Sequence, residues 1–296
     1  MGVTIEELFG YPAQDFSNAA LKARYSEVCP FLSGPCNKLL WDGTKSGVCT
    51  VRQTTATIPT VCCPSRLYAQ DYLILQELAC DTFGEGVQLY SGKDALGHAA
   101  SGKAVAVFGK HWGKELRLPG RKGVGRYFVD WILAKLDTSA CVTEFVALEV
   151  QTIDTTGNYH QQRRELLAET APTQQSGAGL NWENVSKRIL PQLIFKGHVL
   201  QHEPLCKKGL YFVCPTAVYD KIMIRLGGAP TPIHPQPGAI TFRCYDLQPA
   251  TSPGHIRLLS KGSEFTTTIS QVAMAFVSPT NLPPTGSYLA AIKAAL

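Results

Sequence analysis

The stretch that most constrains this chain is residues 126–159, RYFVDWILAKLDTSACVTEFVALEVQTIDTTGNY, which sets acidic residues inside two long apolar runs. Tyr127–Leu136 and Glu144–Ile153 are rich in Val, Ile, Leu and aromatic residues, as strands are, and a turn region including Asp137, Thr138, Ser139 and Ala140 separates them. The pair predicts a β-hairpin. A turn centred between Ser139 and Ala140 sets each residue opposite its mirror image about that point, and on this register Asp130 faces Glu149. Direct cross-strand neighbours have Cβ atoms roughly 5 Å apart. A carboxylate in an apolar run is costly unless it is paired or bound to a cation. Two facing carboxylates repel unless a divalent cation lies between them. Side chains alternate along a strand, so Gln151 shares the face of Glu149. The arrangement predicts a hard-oxygen site for Mg²⁺, completed by water and substrate phosphate. The competing readings are two polar residues on a solvent-facing edge, or a carboxylate pair for glycoside hydrolysis. No aromatic sugar platform is evident for the latter.

Around this hairpin the pattern is mixed. Residues 69–84 (AQDYLILQELACDTFG) predict a helix ending at Gly84, and residues 181–200 a second, with Asn181 as N-cap and Pro191 kinking or splitting it. Ala104–Phe108, Gly209–Cys214 and Ala239–Cys244 read as further strands, and 228–238 (GAPTPIHPQPG) as a stiff loop. The last part, 263–296, carries no clear pattern. Residues 1–68 read as loop-rich, with a poor core that a metal would have to hold together. The expected division is therefore 1–68, a cysteine-rich metal-binding region, and 69–296, the larger domain. The fold class expected is α/β (α+β), a mixed central sheet flanked by helices.

Ten cysteines need an account. No apolar run approaches bilayer length, so no membrane partner is expected. The N-terminal residues carry Glu6 and Glu7 and lack the basic start and apolar core of a secretory signal. The expectation is a cytoplasmic protein, whose thiols stay reduced. Cys29, Cys36, Cys49, Cys62 and Cys63 fall within 35 residues, with six residues between the first two and twelve between the next. Cys29, Cys36, Cys49 and one of Cys62/Cys63 would give a tetrahedral four-thiolate site for a structural metal. Cys80, Cys141, Cys206, Cys214 and Cys244 are scattered, mostly among apolar neighbours, and read as small core residues.

Net charge is only +5, but its distribution is uneven. Lys93–Arg126 holds eight basic residues against Asp94 and Glu115, and a second group comprises Lys187, Arg188, Lys196, Lys207 and Lys208. The Gly-flanked loop LPGRKGVGRY (118–127) brings Arg121, Lys122 and Arg126 close to Asp130 in sequence. Arg can pair bidentately with guanine O6 and N7, so this loop is the candidate DNA reader. Lys187, Arg188 and Lys196 read as phosphate contacts or as support for their own helix.

An Asp in one strand followed a hairpin later by Glu-x-Lys, or a variant of it, resembles the PD-(D/E)xK nuclease core. The longer strings YFVDWILAKLD, EVQTIDTTGNY and NWENVSKRILPQLIFKGH, with CPFLSGPC, GVCTV and VCCPSRLY, are similar to the NotI family of restriction endonucleases, which also includes EagI. The similarity covers about residues 7–230. It implies a Mg²⁺-dependent type II enzyme that makes double-strand cuts at a short GC-rich palindrome and acts as a homodimer. A cognate DNA methyltransferase is expected in the same bacterial system. The resemblance implies that Asp130, Glu149 and Gln151 form the catalytic set, with Gln in place of Lys, and Glu115 is a plausible further carboxylate. It also implies that the fourth thiolate is the one preceding the Pro, Cys63, and that the metal is iron, although zinc suits the same sulfur set. The alternative is a non-catalytic DNA-binding protein stabilised by the four-cysteine site.

Overall fold

The computed structural model describes residues 2–118, 127–249 and 252–296. The N-terminal part is a small sheet. β1 (Val3–Leu8) pairs antiparallel with β2 (Tyr11–Pro12). Helix α1 (Asn18–Ser26) and the short hairpin of β3 (Val28–Cys29) and β4 (Gly34–Pro35) follow. β5 (Val48–Gln53) then joins the free side of β1, and β6 (Thr60–Val61) completes the order β2-β1-β5-β6. Val3, Ile5, Leu8, Phe9, Val48 and Val51 are buried in one cluster with Ile153, Leu166 and Leu180. The expectation of loops with a poor core is thereby corrected. Strands this short, interrupted by Cys, Gly and Pro, hide their alternation, and the core they need lies later in the chain. Glu7 and Arg66, both fully buried, form an ion pair at 2.9 Å, and the Thr50 hydroxyl donates to Glu7 at 2.6 Å. Removing either charge would strand the other.

Helix α2 (Ala69–Phe83) ends at Gly84, where the sequence placed the stop. Its start differs: Gln70, Asp71 and Tyr72 have φ of 58°, 53° and 60°, so the right-handed helix begins only after them. β7 (Gln88–Ser91) and β8 (Ala104–Gly109) follow. β9 (Arg117–Leu118) and β10 (Tyr127–Phe128) form a separate antiparallel pair, and β11 (Trp131–Leu136) and β12 (Val142–Val150) form the hairpin. A short ladder of β13 (Thr155–Thr156) and β14 (Gly179–Leu180) brackets α3 (His160–Leu167). The chain ends with α4 (Leu190–Gln201), β15 (Leu210–Cys214), α5 (Thr216–Leu226), β16 (Ala239–Leu247), β17 (Leu259–Thr268), α6 (Ile269–Val277) and α7 (Ser287–Ala295).

The central sheet has seven strands in the order β17-β16-β15-β12-β11-β8-β7. The β12/β15, β15/β16 and β7/β8 pairs are parallel, and the other three are antiparallel. This is a mixed sheet, and helices cover both faces. On one face Ile74, Leu75 and Leu78 of α2 pack over Val107, Trp131, Leu133, Leu148 and Val213. On the other, α4, α5 and α6 bring Leu193, Ile222 and Ile269 to Ile132, Ala147, Phe212 and Phe242. Neighbours along β11 and β12 therefore alternate between α2 and α4, as period-two side chains must.

The segment from 181 runs through its proline. Residues Val185–Ile189 adopt a π-helical turn, with the Leu190 N–H bonding the Val185 carbonyl, and α4 continues through Pro191 to Gln201. Pro has no N–H to give, and its ring crowds the carbonyl four residues back; the wider turn accommodates both. Of the five scattered cysteines, Cys206, Cys214 and Cys244 are buried as expected. Cys141 is exposed in the hairpin turn and Cys80 only half-buried, which corrects the core assignment for those two.

Candidate active site

The β11/β12 register is the mirror set read from the sequence, from Trp131 opposite Leu148 to Lys135 opposite Glu144, with an irregularity only near the turn at Leu136/Val142. The turn itself is held by the Asp137 carboxylate, which accepts the N–H groups of Ser139 and Cys141 at 2.8 and 2.9 Å. Where the ladder would continue to residues 130 and 149, β11 has not yet begun. Asp130 takes its place there through its side chain: Oδ2 accepts the Val150 N–H at 2.8 Å. The first apolar run is thus two pieces, β10 turned towards β9 and β11 in the main sheet, with Asp130 just before the second.

Glu149 is 8% exposed and lies on the α4 side of the sheet, the face of Ala147. Its Oε1 accepts Lys196 Nζ at 2.6 Å, an ion pair in which both side chains are nearly enclosed. Burial, and then the negative charge of Asp130, raise Glu149 from 4.5 to about 7, against the pull of Lys196. Burial also raises Asp130; the Val150 N–H and Lys196 oppose this, while Glu115 adds to it. Glu149 thus feels the charge of Asp130. Gln151 lies one step past β12, its N–H still bonded to the Val213 carbonyl at 3.0 Å. The side-chain Nε2 of Gln151 donates to the Thr152 carbonyl at 2.9 Å.

Further groups surround the pair. The Trp131 Nε1 donates to the Tyr68 hydroxyl at 3.2 Å, and the rings of Tyr68 and Tyr72 meet Trp131 edge-on. Tyr68 is raised by burial and by the charges of Asp130 and Glu149. His111 is lowered by burial and by Lys110, while Asp130 works the other way. Gly109, paired with Trp131 across β8/β11, is required to be bare: an added Cβ would sit 2.2 Å from the indole. Gly197, beside Lys196, does the same for α4, since its Cβ would meet Ile269 at 2.2 Å. Close packing of α4 on α6 therefore sets where Lys196 stands.

The structure thus brings Asp130, Glu149 and Gln151 to one end of the hairpin, with exposed Glu115 near enough to act on Asp130. Arg121, Lys122 and Arg126 lie outside the described residues. The sequence, which reads Lys196 as a phosphate contact or as support for its own helix, does not give its place beside Glu149, nor does it single out Lys110, His111 or Tyr68. A period-3.6 reading of 181–200 would have put Lys196 one turn from the apolar Leu193 and Leu200, but which strand that face meets was not in the pattern.

The cysteines form a second gathering. Cys29, Cys36, Cys49 and Cys63 line one small cavity of about 10 Å³ with Phe9, Pro30 and Gly47. Burial raises Cys29 to about 11 and raises Cys49 as well. Cys62 is fully buried in the main apolar cluster, and half-buried Lys38 donates to its carbonyl at 2.8 Å. Among the described residues, no three His, Cys, Asp or Glu side chains converge closely enough to form a ready-made metal site. Nor is any helix of the described residues long and apolar enough to cross a membrane.

Compared with known proteins, residues 16–215 match the family model described as Restriction endonuclease NotI, more than half of the 296-residue chain. Both the carboxylate pair and the five clustered cysteines fall within the match. No curated protein matches the chain.

Proposed function

Because the chain belongs to the NotI restriction endonuclease family, and is therefore a DNA-binding, site-specific deoxyribonuclease, we propose that Asp130, Glu149 and Gln151 are its catalytic set, acting with Mg²⁺ in a PD-(D/E)xK core. The observation that carries this is the pair of half-buried Asp130 and buried Glu149 at the end of the β11/β12 hairpin. The donor set fits the ion: one buried and one half-buried carboxylate, hard oxygen donors, with a cation already drawn to one of them. Asp130 and Glu149 would hold the metal, with Glu115 as a further carboxylate. When bound, the ion lowers the pKa of its water and neutralises charge on the phosphate. Gln151 cannot take a proton, so its part is to orient the attacking water. The hydrophobic wall of Trp131, Tyr68 and Tyr72 shields the carboxylates on the α2 side.

On this reading the enzyme is a cytoplasmic type II endonuclease that cuts both strands of a GC-rich palindrome as a C2 homodimer, since a two-fold site calls for a two-fold protein. A methyltransferase of the same specificity would protect the host genome. Arg121, Lys122 and Arg126 would read or anchor the DNA beside the cut. Residues 1–68 form the metal-binding region and 69–296 the nuclease domain. Cys29, Cys36, Cys49 and Cys63 would hold a structural iron or zinc; the support is that all four line one cavity with room for about a single atom. The alternative, a DNA-binding protein without activity, leaves the Asp130–Glu149 pair without purpose.

The test is digestion of unmethylated GC-rich genomic DNA with Mg²⁺ or EDTA, with fragment ends mapped by sequencing. Discrete Mg²⁺-dependent ends sharing one short palindrome are expected. Random ends, or cutting that persists in EDTA, would overturn the reading.

A further inference from the structure

Lys196 is the group the proposed chemistry leaves unused. It stands on α4, opposite the strand that carries Glu149, and its ammonium lies 2.6 Å from Oε1 with the lysine and glutamate side chains only 13% and 11% exposed. A surface ion pair of two long side chains is worth little. This one is enclosed, and it occupies an oxygen that a divalent ion would need. Its backbone is fixed as well, because bare Gly197 seats α4 against Ile269. Gln151 carries no charge, so this cation reaches the carboxylates from the helix and not from the strand. Lys110 also acts on Asp130, but among the described residues no salt bridge ties it to either carboxylate.

We propose that Lys196 is a tethered counter-ion that competes with the divalent ion for Glu149 and yields it when a DNA phosphate arrives to take the ammonium. The inference rests on the proposed role of Asp130 and Glu149. Its consequence is that metal affinity is held down in the free protein and released by substrate, which delays assembly of the cutting centre until DNA is in place. Linkage makes this reciprocal: whatever factor DNA adds to metal affinity, metal adds to DNA affinity.

The direction of the effect separates this from a structural role. If Lys196 only braced Glu149, its loss would loosen the carboxylates and weaken metal binding. If it competes, its loss must tighten metal binding. The experiment uses the full chain without DNA and titrates Tb³⁺, a hard trivalent probe whose emission Trp131 and Tyr68 can sensitise, displaced by Ca²⁺ to obtain the Ca²⁺ affinity. Lys196→Gln keeps a hydrogen-bond donor to Glu149 and removes only the charge; Lys196→Arg keeps the charge. The expected result is roughly tenfold tighter Ca²⁺ binding in Lys196→Gln and little change in Lys196→Arg. Adding a duplex that carries the mapped site should raise Ca²⁺ affinity in the wild type and much less in Lys196→Gln. Cleavage by Lys196→Gln should be slower by about 100-fold or more in kcat, since the phosphate loses its cation. Equal or weaker Ca²⁺ binding in Lys196→Gln would overturn the proposal. The controls Asp130→Asn and Glu149→Gln should abolish the Tb³⁺ signal in the wild-type background. A signal that survives both would remove the carboxylate assignment itself, and this inference with it.

Discussion

The carboxylate end of the hairpin and the cysteine cavity both gather ligand-type side chains, but they are held in different ways. Glu149 is fixed by the pairing of β12 with β15 and by an ion pair to α4, and Asp130 by the Val150 N–H. Burial, and after it the charge of Asp130, raises Glu149 to about 7. The four cysteines sit on β3, in the loop after β4, on β5 and just after β6, and burial keeps Cys29 and Cys49 protonated. Their surroundings hold together through an ordinary apolar core and the Glu7–Arg66 pair. One gathering crowds carboxylates against a lysine; in the other, binding a metal would have to work against the raised thiols of Cys29 and Cys49. A strained pair of charges suits a centre that must react, and a relaxed thiol set suits one that must only stay.

This contrast can be broken most sharply at the cysteines. Cys63→Ser should reduce bound iron or zinc from about one per chain to near none, while Cys62→Ser should leave the metal content unchanged; elemental analysis of the purified proteins decides. Equal loss in both would mean that the cavity is not the site.

The pH dependence should differ as well. Glu149 is raised from 4.5 in the unfolded chain to about 7 when folded, so the folded state binds the proton more tightly. That stability is fully present below about 4.5 and lost as pH rises through 7, by about 3 kcal/mol. Denaturant midpoints of metal-free protein should fall across that window, and Mg²⁺ or Glu149→Gln should flatten the profile. The same sign means that divalent-ion affinity climbs with pH through the window.

The α4 seat gives a smaller effect. Gly197→Ala gains helix propensity but drives a Cβ into Ile269, for a net loss of about 1–2 kcal/mol. It should also displace Lys196 and slow cleavage, whereas an equally destabilising change in the β1/β5 core should leave kcat alone. Smallest of all, Lys187→Ala removes an exposed ion pair to Glu183 from the same helical segment and should change neither stability nor cleavage measurably. A large effect there would mean that the basic face of this segment, and not Lys196 alone, serves the site.

How much of this was legible follows from the range of each interaction. The hairpin is local, so its period and turn were enough to set the register from Trp131 opposite Leu148, although the ladder stops short of pairing Asp130 with Glu149. The stop of α2 at Gly84 and the helical run from Val185 to Gln201 are local too. Lys196 meets Glu149 only because α4 lies across β12, and no window of sequence contains that packing. The N-terminal sheet was hidden for a related reason: β1 finds β5 across forty residues of loops and hairpins, and its apolar positions are completed by Ile153 and Leu166. The last strand was missed because β17 is Ser- and Thr-rich and half-exposed, so its alternation is weak. The left-handed turn at Gln70–Tyr72 has no signature in residue types that ordinarily avoid that conformation.

The central claim is that Asp130 and Glu149 carry the chemistry and not the binding. The most direct measurement compares binding and cutting of one short duplex, carrying the mapped site, by the wild type, Asp130→Asn and Glu149→Gln. Binding is followed in Ca²⁺ and cleavage in Mg²⁺. The account predicts that both variants bind the duplex within a few-fold of the wild type while cleavage falls by about 1000-fold or more. Cleavage within tenfold of the wild type by either folded variant would contradict it.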